Sequence, residues 1–403
     1  MNKSTNNQGS RSLKDIFFTF LLVGFTAFGG PAAHVGYFRE IFVSQRQWLT
    51  DRNFSELLGL CQFLPGPGST QLAVAIGTLC RGPVGGIAAL VGFSLPASLL
   101  MIGFGLGVLK YDIIGDFNWI QGLKIAVAAV VLRAVVQMAP RLCPDFRART
   151  IAFMVFLSLL LISVSSGNII AIAVAAVIGL VWRRPLPYSE DVSSFVVMSR
   201  SFAVGNLLYL TVLFVLLPIV ASVPTVPTIV GVFDSLFRSG SLVFGGGHVV
   251  LPLLESEFVP TKWLDQDAFF AGYGIMQALP GPMFAFAAYL GTVMAPVPNG
   301  VIGGVICLIG LFLPGLLLIW GLLPFWNQFK NNQMVSSMFA DVNAAVVGIL
   351  AAALYHPIWS NAIHDWIDAV LALSAFFAIQ SQRIPTWVVV IGCVAGSTVL
   401  SQM

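Results

Sequence analysis

The sequence predicts an all-α polytopic membrane protein of about thirteen membrane segments, built as two inverted-topology repeats with broken or re-entrant helices. Three observations predict it. The first is composition: 57% of the 403 residues are hydrophobic and only 9% are charged, against about 25% charged in an average soluble domain. Mean hydropathy is +0.90. The second is an internal duplication: Gln62-Phe63-Leu64-Pro65-Gly66-Pro67 returns as Gln277-Ala278-Leu279-Pro280-Gly281-Pro282, 215 positions later. The third is parity. Each repeat carries about six apolar runs and one unrepeated run stands between them, so the second repeat starts from the other side of the bilayer.

Residues 1–15 are polar and basic, and no cleavage pattern comes after them. The first apolar run, about 16–33, therefore reads as a retained membrane segment and not as a signal peptide. It ends in Phe28-Gly29-Gly30-Pro31 and His34, and leads into a polar loop with Arg39, Glu40, Arg46, Trp48, Asp51 and Arg52. The next run, about 54–79, is long enough to span a bilayer, but Pro65, Gly66, Pro67 and Gly68 interrupt it. Each proline lacks an N–H and disfavours the α conformation in the residue before it, so the helix breaks here. A break inside a bilayer leaves backbone groups unpaired, which is tolerated only where it is buried in protein or lines a wet cavity.

Apolar runs continue to Leu109 and over about 120–139, and then comes a basic loop with Arg141, Arg147 and Arg149. Two runs of about 15 residues, near 151–164 and 169–182, are short for full spans and read as a hairpin. They close a first repeat, residues 1–182. Residues 183–200 form a polar linker with Pro185 and Pro187, residues 201–225 an unrepeated linking membrane helix, and residues 226–403 the second repeat. There Phe244-Gly245-Gly246-Gly247-His248 answers the first glycine element, Trp263-Leu264-Asp265 answers Trp48 to Asp51, and Ala344-Ala345-Val346-Val347 answers Ala128 to Val131. With the N-terminus inside, basic loop residues collect inside, among them Arg81, Arg147, Lys262, Lys330 and Arg383, as the positive-inside rule asks. One loop conflicts: Arg39, Arg46 and Arg52 fall outside. Either that loop folds back into the protein or the first run is not a crossing.

The net charge is +3 and no basic stripe is interleaved with aromatics, so nucleic acid is not an expected partner. Cys61, Cys80, Cys143, Cys307 and Cys393 form no C-x-x-C pair, which suggests neither a disulfide framework nor a metal site. No Walker A, H-E-x-x-H or G-x-S-x-G motif is present, so the reading is a non-enzyme with no cofactor, whose transport runs on an ion or voltage gradient.

The chemistry left is that of the breaks. If half-helices begin just beyond Gly29-Gly30, Gly245-Gly246-Gly247, Pro67-Gly68 and Pro282, their free N–H groups and positive dipole ends form anion sites. Glycine pairs in membrane helices equally serve close packing. His34 and His248 come after the glycine elements; such a residue is commonly structural, yet ionisable groups at depth are functional candidates, for proton coupling or anion contact. Gln62, Gln71 and Gln277 donate hydrogen bonds without fixed charge. Arg39, Arg81, Lys124 and Arg133 are the cationic candidates, Arg39 first, while the second-half counterparts are neutral or acidic, such as Glu255 and Asp341. Asp341-Val342-Asn343 reads as a polar pair opening an apolar helix, through capping or through ion coordination.

The stretches FGGPAAHVGYFRE, WLTD and QFLPGPGSTQLA, repeated as FGGGHVVLPLL and QALPGP, resemble the chromate ion transporter family in its long two-repeat form. The resemblance covers nearly the whole chain. It implies a multi-pass protein of the bacterial inner (plasma) membrane that exports chromate by a chemiosmotic route, with the family's motifs on Gly29, Gly30, Pro65, Gly66, Pro67, Gly245, Gly246, Pro280, Gly281 and Pro282. The expected partners are chromate or its tetrahedral analogue sulfate, a coupling proton, the lipid bilayer and a second copy of the chain as a homodimer. Gly247 stands where the first half has Pro31, and the glycine-to-histidine spacing is shorter in the second half, so the two halves need not contact the ion alike.

Overall fold

The computed structural model describes residues 11–111, 117–162, 167–183, 198–244, 247–381 and 383–400. Among these residues every regular element is helical. Most of the expected linker lies outside the described residues, as do Gly245 and Gly246.

The first repeat opens with α1 (Leu13–Thr26) and α2 (Gly30–Arg39), separated by Gly29 and Gly30 at φ 99° and 75°. Pro31 sits in the first turn of α2, where its missing N–H is not needed. The chain reverses at this break. Phe20 stacks on Phe42 at 4.7 Å, and Arg46, beyond α2, pairs with Asp15 at the start of α1 at 2.9 Å. A half-exposed ion pair of this kind contributes under about 1 kcal/mol; its value here is to show that both ends of the pair of helices share one face. α3 (Asp51–Phe63), capped by Thr50 Oγ1 accepting from the Asn53 N–H, runs inward from that face. It ends at Leu64, held extended by Pro65. α4 (Gly68–Tyr111) returns, with non-helical backbone at Arg81 and Gly82 where it folds on itself. Arg81 donates to the Arg11 carbonyl at 2.9 Å, which brings the turn back to the N-terminal face. The two arms of α4 pack through Gly77 and Gly85, where any Cβ would strike the facing backbone carbonyl.

Two re-entrant hairpins thus stand where two crossings were expected. The 13 residues of α3 span only about 20 Å, short of a hydrocarbon core about 30 Å thick. The second arm of α4 then crosses fully, α5 (Phe117–Leu142) returns, and α6 (Phe146–Leu161) and α7 (Gly167–Val181) form the short pair. α8 (Arg200–Ala221) crosses between the repeats.

The second repeat is built the same way from the opposite face. α9 (Thr228–Leu242) and α10 (Val250–Phe258) lie back to back on one face, with Ser235 on α9 donating to Glu257 on α10 at 2.7 Å. α11 (Gln266–Ala278) and α12 (Phe286–Val293) reverse about Leu279–Pro282; Tyr289 donates to the Ala268 carbonyl at 2.8 Å and the Ala295 N–H to the Trp263 carbonyl at 2.8 Å. α13 (Gly300–Leu322) crosses to the first face, where Trp320 Nε1 donates to Thr78 Oγ1 at 3.1 Å. α14 (Trp326–Lys330) lies at that face, α15 (Gln333–Ala353) crosses back to α16 (Ser360–Ala362), and α17 (Trp366–Gln380) and α18 (Thr386–Leu400) close the chain.

Among the described residues, five helical stretches are long and apolar enough to cross a membrane: Gly68–Tyr111, Trp119–Leu142, Arg200–Ala221, Gly300–Phe325 and Gln333–Ala362. The inverted arrangement holds, because re-entrant pairs add no crossing and leave the parity unchanged. The conflict over Arg39, Arg46 and Arg52 also resolves, since their loop returns to the N-terminal face beside Asp15. Lys262 moves the other way: it lies just past α10, whose end is at the opposite face, so its expected place with Arg81 is corrected. Asp341 and Asn343 do not open a helix either. They lie inside α15, which begins at Gln333, and Asp341 is fully buried against Arg147 of α6.

Candidate functional site

The four breaks meet in the middle of the molecule. Gly66 N–H donates to the Val243 carbonyl at 2.6 Å, and Gly281 N–H donates to the Ala27 carbonyl at 2.9 Å. Gly66 and Gly281 are 215 positions apart, Ala27 and Val243 216. Each proline-glycine-proline tip is therefore bonded to the glycine-element tip of the other repeat, as a two-fold axis in the membrane plane requires. Gly66 and Gly281 hold φ of 126° and 97°, a region that L side chains rarely adopt.

These bonds consume part of what the breaks release. Gln71 Nε2 donates to the Pro65 carbonyl at 2.7 Å, so Gln71 braces the first break instead of reaching for a ligand; its Oε1 is buried with no partner among the described residues. The Gln71 N–H bonds to the Pro67 carbonyl, which leaves the first-turn N–H groups of Gly68, Ser69 and Thr70 without helical acceptors. Thr70 Oγ1 is also buried and unpartnered. Gln62, one turn before the break, is exposed. His34 is fully buried, its Nε2 lies 3.2 Å from the Ala27 carbonyl, and Nδ1 has no partner. A carbonyl only accepts, so Nε2 carries the proton and Nδ1 is a bare acceptor. In that form His34 can take a proton but cannot donate to an oxyanion.

The second break is lined differently. His248 Nδ1 lies 2.9 Å from the Tyr273 hydroxyl on α11. Gln277 stands one turn beyond Tyr273, within reach of that hydroxyl, and its Nε2 is a buried donor without a partner. Arg133 on α5 comes close enough to His248 to act on it electrostatically. Val130, one turn before Arg133 on α5, lies in a cluster against which Ala278, just before the second break, is packed. Arg133 Nε is buried without a partner, and no carboxylate among the described residues pairs with the guanidinium.

A family model described as chromate transporter matches residues 14–180 and 230–397, the two repeats seen in the fold. The chain belongs to the chromate transporter family. It is 27% identical over 346 residues to a chromate transport protein of Pseudomonas aeruginosa, covering 85% of this chain and 80% of that one. It is 26% identical over 401 residues to a probable chromate transport protein of Synechococcus elongatus (strain ATCC 33912 / PCC 7942 / FACHB-805), covering 96% and 95%. An uncharacterized transporter of Bacillus subtilis (strain 168), 24% identical over 159 residues, is covered over 81% of its length by 32% of this chain, the size of a single repeat. No solved structure matches. Family membership and the apolar crossings together make this a multi-pass membrane protein.

Within this transporter fold Arg39, the cation ranked first from the sequence, lies at the N-terminal face. Arg39 forms a two-pronged pair with Asp51 at 3.1 and 2.9 Å, and both side chains are about 60% exposed at the N-terminal face. The hydrogen bond to Asp51 raises the Arg39 pKa, and the same bond holds the Asp51 carboxyl below its usual value. Arg81 is a surface residue at the turn of α4, and Lys124 is paired with Asp267 at 2.6 Å. Of the four cationic candidates only Arg133 stands inside a membrane-spanning helix, half-buried, with no carboxylate partner among the described residues. Position 349, which answers it in the second repeat, is Ile349. Sequence alone held a partial signal for this: Arg133 and Lys124 stand inside the apolar run 120–139, whereas Arg39 and Arg81 stand in loops.

Proposed function

We propose that this chain exports chromate across the bacterial plasma membrane, from the basic face, which is the cytoplasmic one, driven by the membrane potential and the proton gradient. The dianion binds at the crossing of the breaks. The free guanidinium of Arg133 carries this reading. An arginine at mid-helix costs about 2.5–3.5 kcal/mol on insertion scales, and one kept without a carboxylate partner fits a site whose counter-charge arrives with the substrate. Arg133 and the Gln277 amide donate to the tetrahedral oxyanion, and the first-turn N–H groups after Pro67 complete its shell. Sulfate, a dianion of the same shape, competes there. The basic face collects Arg11, Arg39, Arg46, Arg52, Arg81 and Arg200, while Lys110 and Lys262 lie at the other face, which supports the orientation.

Everted membrane vesicles test the reading. Chromate accumulation that a protonophore collapses is the expected result. Uptake indifferent to the protonophore would assign a passive channel, and no uptake would remove chromate as the substrate.

A further inference from the structure

The half of the second repeat nearest the non-basic face holds an ionic cluster that the substrate site does not use. Asp234 on α9 is 3% exposed, and its Oδ2 accepts from Arg238 Nε at 2.9 Å. Arg238 NH2 lies 2.8 Å from the same oxygen and 3.7 Å from Glu257 Oε2 on α10. Ser235 donates its hydroxyl to Glu257 at 2.7 Å. Asp234 Oδ1 is buried and has no partner among the described residues. Two carboxylates thus share one guanidinium, and one buried carboxylate oxygen faces no donor.

The surrounding elements do not supply the missing charge. α13 carries no ionisable residue of the Asp, Glu, Lys, Arg or His type, and the single charge of α8, Arg200, is at its other end. Glu255 lies two residues before Glu257, a spacing that turns it to another side of α10. With both carboxylates ionised this partly buried cluster has a net charge of minus one, which is unfavourable around the buried Asp234. A single proton makes it neutral, and Asp234 Oδ1 is the oxygen free to take it.

We propose that Asp234, with Glu257 and Arg238, carries the coupling proton, loaded from the non-basic face; this rests on the proton-driven reading above. The balance is simple: one proton binds Asp234 Oδ1 and takes the cluster from minus one to zero, and its release restores the negative charge. Glu257 ties α10 to α9 through Ser235 and Arg238, and the break between those helices carries Val243, bonded to Gly66, and His248, bonded to Tyr273. A change of charge at this tie therefore acts on the hairpin whose tip forms part of the substrate site. The first repeat has Phe18 and Leu22 where α9 has Asp234 and Arg238, and both are exposed. The Asp234–Arg238 pair therefore has no counterpart in the first hairpin.

The test uses the full chain in proteoliposomes with two assays, chromate accumulation under an imposed pH gradient and chromate–chromate exchange without one. Asp234→Asn is expected to keep exchange within about threefold of wild type while losing gradient-driven accumulation by tenfold or more, roughly the leverage of an intramembrane carboxylate. A trapped pH dye should record no proton flux for it. If Asp234→Asn does not reach the membrane, Ser235→Ala keeps every charge in place and is expected to shift the pH midpoint of accumulation while leaving exchange unchanged. Asp234→Asn that accumulates chromate as wild type does, or that loses both assays in parallel, overturns the proposal; so does an unmoved midpoint in Ser235→Ala. Wild-type protein that exchanges chromate but ignores the gradient overturns the proton-driven reading first, and the proposal with it.

Discussion

Arg133 and Arg39 are the same side chain in opposite situations. Arg39 meets Asp51 in water, so the pair is screened and its loss leaves nothing buried. Arg133 has no carboxylate partner among the described residues, so an anion that meets it gains a charge-assisted contact. Such hydrogen bonds contribute about 1.5–3 kcal/mol each. Arg133→Ala is therefore expected to weaken apparent chromate affinity roughly tenfold to a hundredfold or more, with membrane abundance unchanged or raised, because a half-buried charge is removed from an apolar helix. Arg133→Lys should recover part of the loss, since charge stays and the fork is lost. Arg39→Ala should change transport by less than about twofold. Uptake titrations in vesicles normalised to protein abundance measure all three; equal losses at both positions would return the site to the surface. The sequence made Arg133 a candidate but could not rank it, because rank depends on partners that come from 12 residues away in one case and are missing in the other.

The breaks are the elements that sequence read best. Proline and glycine act on their own backbone, so Pro65-Gly66-Pro67 and Pro280-Gly281-Pro282 announce a broken helix wherever they fold. The path of the chain beyond the break is not a local property. A run of about 26 apolar residues has the composition of one crossing, and only the partners of its ends, Arg81 with Arg11 and Ala295 with Trp263, show that the chain turns back. Replacing Pro65 and Pro67 together with alanine should restore continuous helix and bond the freed N–H groups internally. The Gly66–Val243 bond would go with it. Transport should fall by tenfold or more, since its reach is that of a misplaced first-contact shell, with abundance near wild type. Gln71→Ala tests the brace separately: it strips the Pro65 carbonyl of its buried donor, and a loss of about 1–3 kcal/mol of stability is expected, read as a lower melting temperature in detergent. Normal export by an abundant double-alanine protein would reduce the break to a packing kink.

At the scale of the whole molecule, the fold is two copies of one plan facing each other, with unlike chemistry laid over it. The plan was legible because duplication leaves matched motifs at a constant offset. The chemistry was not, because Arg133, Asp234 and Arg238 have only apolar counterparts, Ile349, Phe18 and Leu22, and so no repeat marks them. Such asymmetry suits the proposed proton-driven export: a symmetric pair of hairpins would respond alike on both sides, whereas one side has to sense the driving ion. The two-fold plan itself makes a prediction that separates re-entrant hairpins from crossings. If residues 16–33 crossed, position 46 would lie outside and position 262 inside. With both hairpins re-entrant, Arg46 joins the basic face beside Asp15 and Lys262 lies on the other. Single cysteines at 46 and 262, with the partly exposed Cys80 replaced and the buried cysteines left in place, should label in mutually exclusive fashion with an impermeant thiol reagent. Position 262 should react in intact cells and position 46 only in everted vesicles. Reaction of both from one side would break the inverted arrangement, and the reverse pattern would keep the fold but turn the basic face outward, against the charge rule that sets orientation.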